Sequence, residues 1–404
     1  KLIPYIQSYA ERVKDEFENQ ISAIIQRECT SIHPAVQWRF EEEAIQYFQH
    51  TQQGEPATFH EVVFEDVVPL YGQIDIVGSS GARNKAIQKD LLSLLDQSKT
   101  LLTDLSADQK LPFYDQLVFQ TQRHINSVKD SFHTNTEQQV SQFFEHQLYP
   151  LFEHAQTQSR QKTAVRQFLS QLDTATKSIY ESRKQYDNTV DTINKKLSRF
   201  LDKKQKDAQA IFPHYFEKYK TDGIEHNLYI GQSITKSKLY HPSVMYNLRL
   251  WQLQVMCEME AMYYKNQKEF AVPLNVASLV FAYDTPITIR YRIDEKKFDV
   301  DGAYNVRYEM IKKRIDKAHI KNTNERLTQP HMLSVVYSNP QLGREYMGYF
   351  EFLQSIGYIG KHIEKVELEE LQGASGMMAI RAEMNHELRQ TEKVFSLEDL
   401  KTMT

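Results

Sequence analysis

Six residues spaced by seven dominate the centre of this chain: Val165, Leu172, Ile179, Tyr186, Ile193 and Phe200. A second register of Leu169, Thr176, Arg183, Val190 and Leu197 runs four residues behind. Together they make an a/d seam over roughly five heptads, the pattern of a coiled coil. No Pro or Gly interrupts 165–201, so the span predicts one continuous helix of about ten turns. Thr176 and Arg183 are polar at a-like positions and would set register in either of two arrangements. The seam packs within this chain's own bundle, or it joins two copies in a homodimer. The spacing alone leaves both open.

Much of the remaining sequence is helical in texture. The chain has 404 residues with only 13 Gly and 12 Pro, a balance that favours long helices over a loop-rich body. Ile3, Ile6, Tyr9, Val13, Phe17, Ile21 and Ile24 recur three or four apart, and "AVQWRFEEEAIQYFQH" predicts a second helix. A β-branched excursion near 59–77 interrupts this region before helices resume at Ala82. Residues 1–160 therefore read as a helical bundle with one extended insertion, and 161–212 as the long coiled-coil-like helix. Residues 213–272 follow with an extended segment, "DGIEHNLYIGQSI", and a helix, "MYNLRLWQLQVMCEMEAMYY", apolar around most of its circumference. The extended pieces share Gly-Gln in "YGQID" and "IGQSI", which suggests that they pair or face one another.

After Pro273 strand and helix patterns alternate in the order ββαβαββ, giving an α+β domain over 273–385 and a tail over 386–404. The expected class is thus α+β, mostly helical: a long-helix bundle and coiled coil with short extended segments, followed by that domain. Forty-nine basic and 53 acidic side chains leave a net charge of −4, so nothing in the balance points to nucleic acid or an anionic membrane. No apolar run approaches the roughly 20 residues that span a bilayer, and the first residues do not read as a signal peptide. Two cysteines, Cys29 and Cys257, suit a reducing compartment, and the expected location is cytoplasmic.

The most motif-like run is "VVPLYGQIDIVGSSGARNKAIQKDLLSLL". It lacks the G-x-x-x-x-G-K-[ST] of a phosphate loop and the G-x-G-x-x-G of a dinucleotide fold. Ser79 or Ser80 reads as the N-cap of a helix, where free N–H groups with Arg83 nearby could hold an anion. Asp75 could fill such a site from within as an ion pair with Arg83. A ligand site would instead draw together Asp75, Ser79, Ser80, Arg83, Tyr229 and Gln232. The D-x-D-G in "DEKKFDVDG" lacks the other calcium-loop ligands and reads as a solvated turn. His146 and His154 form no HExxH pair, so neither metal nor cofactor is expected, and no catalytic residue is assigned. The cluster Lys312, Lys313, Arg314, Lys317, Lys321 and Arg326 reads as the solvated face of a helix, or as a surface for a phosphate-bearing ligand or acidic partner.

The stretches "PLYGQIDIVGSSGARNKAIQKDL", "HYFEKYKTDGIEHNLYIGQSI", "NLRLWQLQVMCEME" and "NVRYEMIKKRIDKAHIKNTNERLTQP" resemble the region beside the GAF domain in large GAF-domain-containing proteins of Bacteroidetes-type bacteria. The resemblance runs from about residue 60 to 382. It implies a signalling context, with a neighbouring GAF domain in a longer chain. The label of cyclic-nucleotide phosphodiesterase sometimes given to that family finds no paired His-Asp motif here. The leading expectation is a non-enzymatic signal-transduction or scaffold module that binds a ligand or partner. The rivals are an enzyme acting on a phosphorylated or nucleotide substrate and a structural dimerisation element.

Overall fold

The β-branched run near 59–77 folds as one long strand, β1 (Val62–Val77). Its register shifts between Phe64 and Val67, where Asp66 takes a left-handed φ of 53°. A bulge of this kind bends a strand and lets it serve two ladders. The first half pairs antiparallel with β5 (Ile287–Arg292). The second half lies between β3 (Gly223–Ile230) and β4 (Asn275–Ala282), with Asp75 opposite Gly223 on one side and Ala277 on the other. The two segments carrying Gly-Gln do pair, as β1 and β3.

The computed structural model describes residues 3–236, 238–301, 303–371 and 375–387, with the backbone alone at 109, 134, 158 and 303–306. The expected tail beyond 387 lies outside these residues. The remaining strands are β2 (Tyr215–Thr221), β6 (Lys297–Asp301), β7 (Met332–Tyr337), β8 (Ile359–Glu367) and β9 (Met378–Met384). They complete a sheet of order β2-β3-β1-β4-β7-β9-β8, with β5 on β1 and β6 on β5. Among the described strands only β4 and β7 pair in parallel. The expected separate domain over 273–385 is therefore corrected, because β4 is hydrogen-bonded to β1 and both belong to one sheet. The expected ββαβαββ order is also one strand short. "KFDVD", read as a solvated turn, alternates well enough to pair with β5 as β6.

Helices cover both faces of this sheet. On one face lie α9 (Pro242–Asn266) and α11 (Pro340–Ser355). The apolar girth of α9 is matched by burial around most of its circumference. On the other face the core joins Phe40 of α2 (Gln37–Gln52) and Ile21 of α1 (Ile3–Glu28) to Phe64, Tyr71, Phe281 and Tyr308 of α10 (Ala303–Lys312). Beyond Ile21 the earlier apolar positions of α1, such as Ile6 and Tyr9, are exposed.

The second compact unit comprises residues 78–193 and 267–274. It holds α3 (Ser79–Gln109), α4 (Pro112–Asp130), α5 (Thr134–Phe143), α6 (Tyr149–Gln158), α7 (Lys162–Ser170) and the start of α8 (Ser182–Ile211). Leu94, Leu102, Leu117, Phe144, Phe152 and Val165 share its core. The expected 1–160 bundle is thus corrected at its start, since α1 and α2 pack in the sheet unit.

The continuous 165–201 helix is corrected as well. The chain leaves α7 at Ser170 and re-enters helix only at Ser182. Asp173 organises the break: its Oδ1 accepts the N–H groups of Ala175 and Thr176 and the Thr176 hydroxyl. Short polar side chains that bond their own backbone compete with helix in this way. Asp90 then accepts the N–H groups of Ser182 at 2.8 Å and Arg183 at 2.9 Å, satisfying the free donors at the start of α8. The seven-residue spacing survives because both helices bury it. Val165, Tyr186, Ile193 and Leu197 are all buried within this chain. No described helix is long and apolar enough to cross a membrane.

Candidate functional site

The glycine loop proves to be a helix start. Gly78 is the N-cap residue, with a left-handed φ of 69° and no side-chain cap. Ser79 and Ser80 fall inside the first turn of α3, which corrects their expected role as caps. Ser79 is buried, and its carbonyl accepts a hydrogen bond from the Tyr186 hydroxyl. Ser80 and Arg83 are exposed. Asp75 belongs to the sheet unit while Ser79, Ser80 and Arg83 belong to the helical one. The charges acting on Asp75 include those of Asp316, Asp222 and Arg326.

Gln232 is a loop staple. Its amide nitrogen donates to the carbonyls of Thr235 and Lys238, and its oxygen accepts the Tyr240 N–H. Tyr229 shares a sheet face with Asp75 but sits about six positions along from Gly223, roughly 20 Å. Within the sheet unit, Asp75, Tyr229 and Gln232 therefore do not form a cluster.

A different constellation does. Strand side chains alternate between faces, and the odd-numbered residues of three neighbouring strands meet under α10. From β1 come Tyr71, Gln73 and Asp75, from β2 Tyr215, Glu217 and Tyr219, and from β3 Glu225, Asn227 and Tyr229. Register places Gln73 beside Glu225 and Glu225 beside Tyr219. Glu217 accepts hydroxyl hydrogen bonds from Tyr215 at 2.7 Å and Tyr229 at 3.3 Å, and Tyr219 also bonds it. Tyr71 bonds Gln73 at 3.1 Å and reaches Glu225.

The cover is supplied by α10 and the turn after it. The Tyr308 hydroxyl donates to Asn227 at 2.8 Å, and its ring stacks on Phe281. Lys312 bonds Glu309 at 2.7 Å while its ammonium lies 5.8 Å from the Tyr71 ring and 5.7 Å from the Tyr308 ring. Lys312 is thus no solvated helix face; only 12% of its side chain is exposed. At the β2 edge, Tyr215, Glu217 and Tyr219 open into a cleft of about 480 Å³, bounded opposite by residues 30–34 and Lys296.

Burial raises the carboxyls of Asp75, Glu217, Glu225 and Asp316. Asp75 is pushed up to about 7, first by burial and then by repulsion from Asp316 and Asp222. Glu217 is raised by burial despite its phenol donors and Lys312. Glu225 is raised by burial and by Asp316 and Glu309, and Asp316 by burial. Half-buried oxygens with too few cations among them favour the protonated form, or attract a positively charged ligand.

Sequence reasoning singled out Asp75 and Tyr229 but not Glu217, Glu225 or Asp316, nor the inward orientation of Lys312. The signal was present as alternation: "YFEKYKT" and "GIEHNLYI" each place polar or aromatic residues two apart on one face. Only the register shows that these faces adjoin.

No family model matches the chain, and no curated protein matches it. Among solved structures it is similar to the guanylyl cyclase Cya2, at 10% identity and a TM-score of 0.28, over 50% of this chain and 80% of that one. It is similar also to the adenylyl cyclase CyaB from P. aeruginosa, at 9% identity and a TM-score of 0.29, over 47% of this chain and 81% of that one. At these scores the likenesses establish neither a shared fold nor a shared activity.

Proposed function

We propose that this chain is a ligand-binding module of a signalling protein, and that it takes a cationic small molecule on the carboxylate and tyrosine face of its sheet. One observation carries the reading. Lys312 already sets an ammonium over the rings of Tyr71 and Tyr308 while bonded to Glu309. Aromatic faces and carboxylates together are the means by which proteins hold organic cations. Lys312 would be displaced, or would share the site, when a ligand ammonium or guanidinium enters past Tyr219. A GAF domain beside this region and pairing of two copies belong to the same proposal. The dimer contact would not use the heptad seam, whose Val165, Tyr186, Ile193 and Leu197 are internal.

Isothermal titration with spermidine and with arginine tests the reading. Saturable binding to at least one is expected, weakened about tenfold or more by Glu225→Gln and by raised salt. Absence of heat with both ligands, or affinity unaffected by Glu225→Gln, overturns it.

The second reading is an enzyme acting on a phosphorylated or nucleotide substrate. Asp75 favours it, because a carboxyl poised near neutral pH suits proton transfer. Asp75 and Asp316 also offer the hard oxygens that a magnesium–phosphate complex needs. Incubation with ATP or GTP and magnesium, followed by chromatography, separates the readings. A product that disappears in Asp75→Asn decides for the enzyme.

A further inference from the structure

On the opposite face of the sheet, Glu260 of α9 meets two histidines. His331 lies in the turn before β7 and His386 just after β9. Potential ligand atoms of the three side chains lie within 4.8 Å of one another. We infer that Glu260, His331 and His386 form a binding site for a divalent transition-metal ion, zinc first by ligand chemistry. No metal was expected from the sequence, because no two of these residues are close in the chain.

Four features of the geometry point there. First, Glu260 is fully buried, and one of its oxygens, Oε1, has no hydrogen-bond partner. A buried acceptor left without a partner costs roughly 1–3 kcal/mol, so such atoms call for an explanation. Second, the other oxygen is fixed: the Ser278 hydroxyl donates to Oε2 at 2.5 Å, and the His331 N–H faces the same carboxylate. Outer contacts of this kind orient a metal-binding carboxylate and leave its second oxygen to the ion.

Third, the two imidazoles are held side by side. His331 Nδ1 and His386 Nε2 are 2.8 Å apart, and the Tyr264 ring lies 4.0 Å from one imidazole and 4.5 Å from the other. His386 Nδ1 is buried without a partner. Donors in a tetrahedral site with bonds of about 2.0–2.1 Å stand roughly 3–3.5 Å apart, so small side-chain rotations suffice. Fourth, His331 holds its place with a left-handed φ of 67°, a conformation non-glycine residues adopt rarely. The Met384 N–H bonds the His331 carbonyl at 2.8 Å and ties the turn to the end of β9, next to His386.

Two imidazoles and one carboxylate form the ligand set of many three-residue sites for zinc and for non-haem iron. Both histidines are only partly buried, so solvent can complete the coordination. Carboxylate plus imidazole disfavours calcium and magnesium, which prefer oxygen alone.

The test is elemental analysis of purified full-length chain after brief chelation and reloading, with zinc affinity read by competition against a chromophoric chelator. About one equivalent of a transition metal per chain is expected. His386→Ala should abolish stoichiometric retention, with far-ultraviolet circular dichroism unchanged. Ser278→Ala should weaken zinc affinity by about 10–100-fold, as outer-sphere changes do. His331→Asn serves as a second ligand variant, since Asn also tolerates the left-handed backbone. Cobalt loading should give visible absorption bands that both histidine variants lose. Wild-type protein that retains no metal, or metal content and cobalt bands that survive His386→Ala and His331→Asn, overturns the inference.

Discussion

The two faces of the sheet bury polar groups in different ways. Under α9, His226 meets Gln252, Arg249 of that helix meets Glu345 of α11, and Ser278 meets Glu260. His226, Gln252 and Ser278 are each 0–1% exposed, and each contact is local except at Glu260, which also meets His331 and His386. Under α10, Glu217, Glu225, Asp75 and Asp316 belong to a connected, half-open array with the tyrosines. An isolated buried polar contact fixes how a helix sits. A connected array with surplus carboxylates keeps its protons or cations exchangeable, which is what a binding site needs.

The largest expected effect lies on the α9 face. Arg249 is 6% exposed and its Nη1 contacts both Glu345 oxygens, at 2.9 and 3.0 Å. Arg249→Ala leaves a largely buried carboxylate without its cation and should cost about 3 kcal/mol, the low end for broken buried pairs. Urea denaturation measures it, and a loss below about 1 kcal/mol would place this pair with surface salt bridges.

A smaller loss is expected from Gly72→Ala. A Cβ at this position would stand 2.5 Å from Cε1 of His226 and 3.0 Å from Gln252. The His226 ring is enclosed, and burial lowers it to about 4, so it stays neutral and has no solvated position to move to. Overpacking of this kind costs about 1–3 kcal/mol. Unchanged stability at Gly72→Ala would show that the α9 face has slack and would weaken the contrast between the faces.

Sequence alone made one face far more legible than the other. The apolar girth of α9 announced its burial, and β-branched runs announced β1 and β4. Pairing between β1 and β3 was anticipated from two Gly-Gln steps, although Gly231 and Gln232 lie just past β3 and Gly72 pairs with His226. The inner site was harder to read. Glu217 and Glu225 look like ordinary surface residues of two short strands until register sets them beside Gln73 and Asn227. Lys312 was hidden in a basic run, where charge density suggested solvent. The heptad seam misled for a related reason: spacing reports which residues are buried, not whether the chain between them is continuous. Asp173 and its Thr-rich neighbours carried the competing turn signal. The Glu260, His331 and His386 cluster left no local trace, because three distant segments supply it.

The smallest effect, and the one that bears most directly on the open face, is a gain. Asp75 in the unfolded chain titrates near about 3.9. In the folded protein burial, Asp316 and Asp222 hold it near about 7. Between those values the native state keeps a proton that the unfolded chain has released. Stability should therefore fall as pH rises across that window and level off above it. Asp75→Asn cannot ionise and escapes the fall. The two proteins should match below about pH 4, and the variant should be the more stable at pH 8 by roughly 1–2 kcal/mol. That figure is well under the full linkage value because the side chain is partly exposed and solvent screens it. Paired urea titrations at pH 5, 6.5 and 8 read the trend. A constant difference across pH would mean that Asp75 is ionised throughout, held by a cation already seated among these carboxylates. A saturating cationic ligand should have the same consequence: it should flatten the wild-type curve, since a seated positive charge removes the reason for Asp75 to keep its proton.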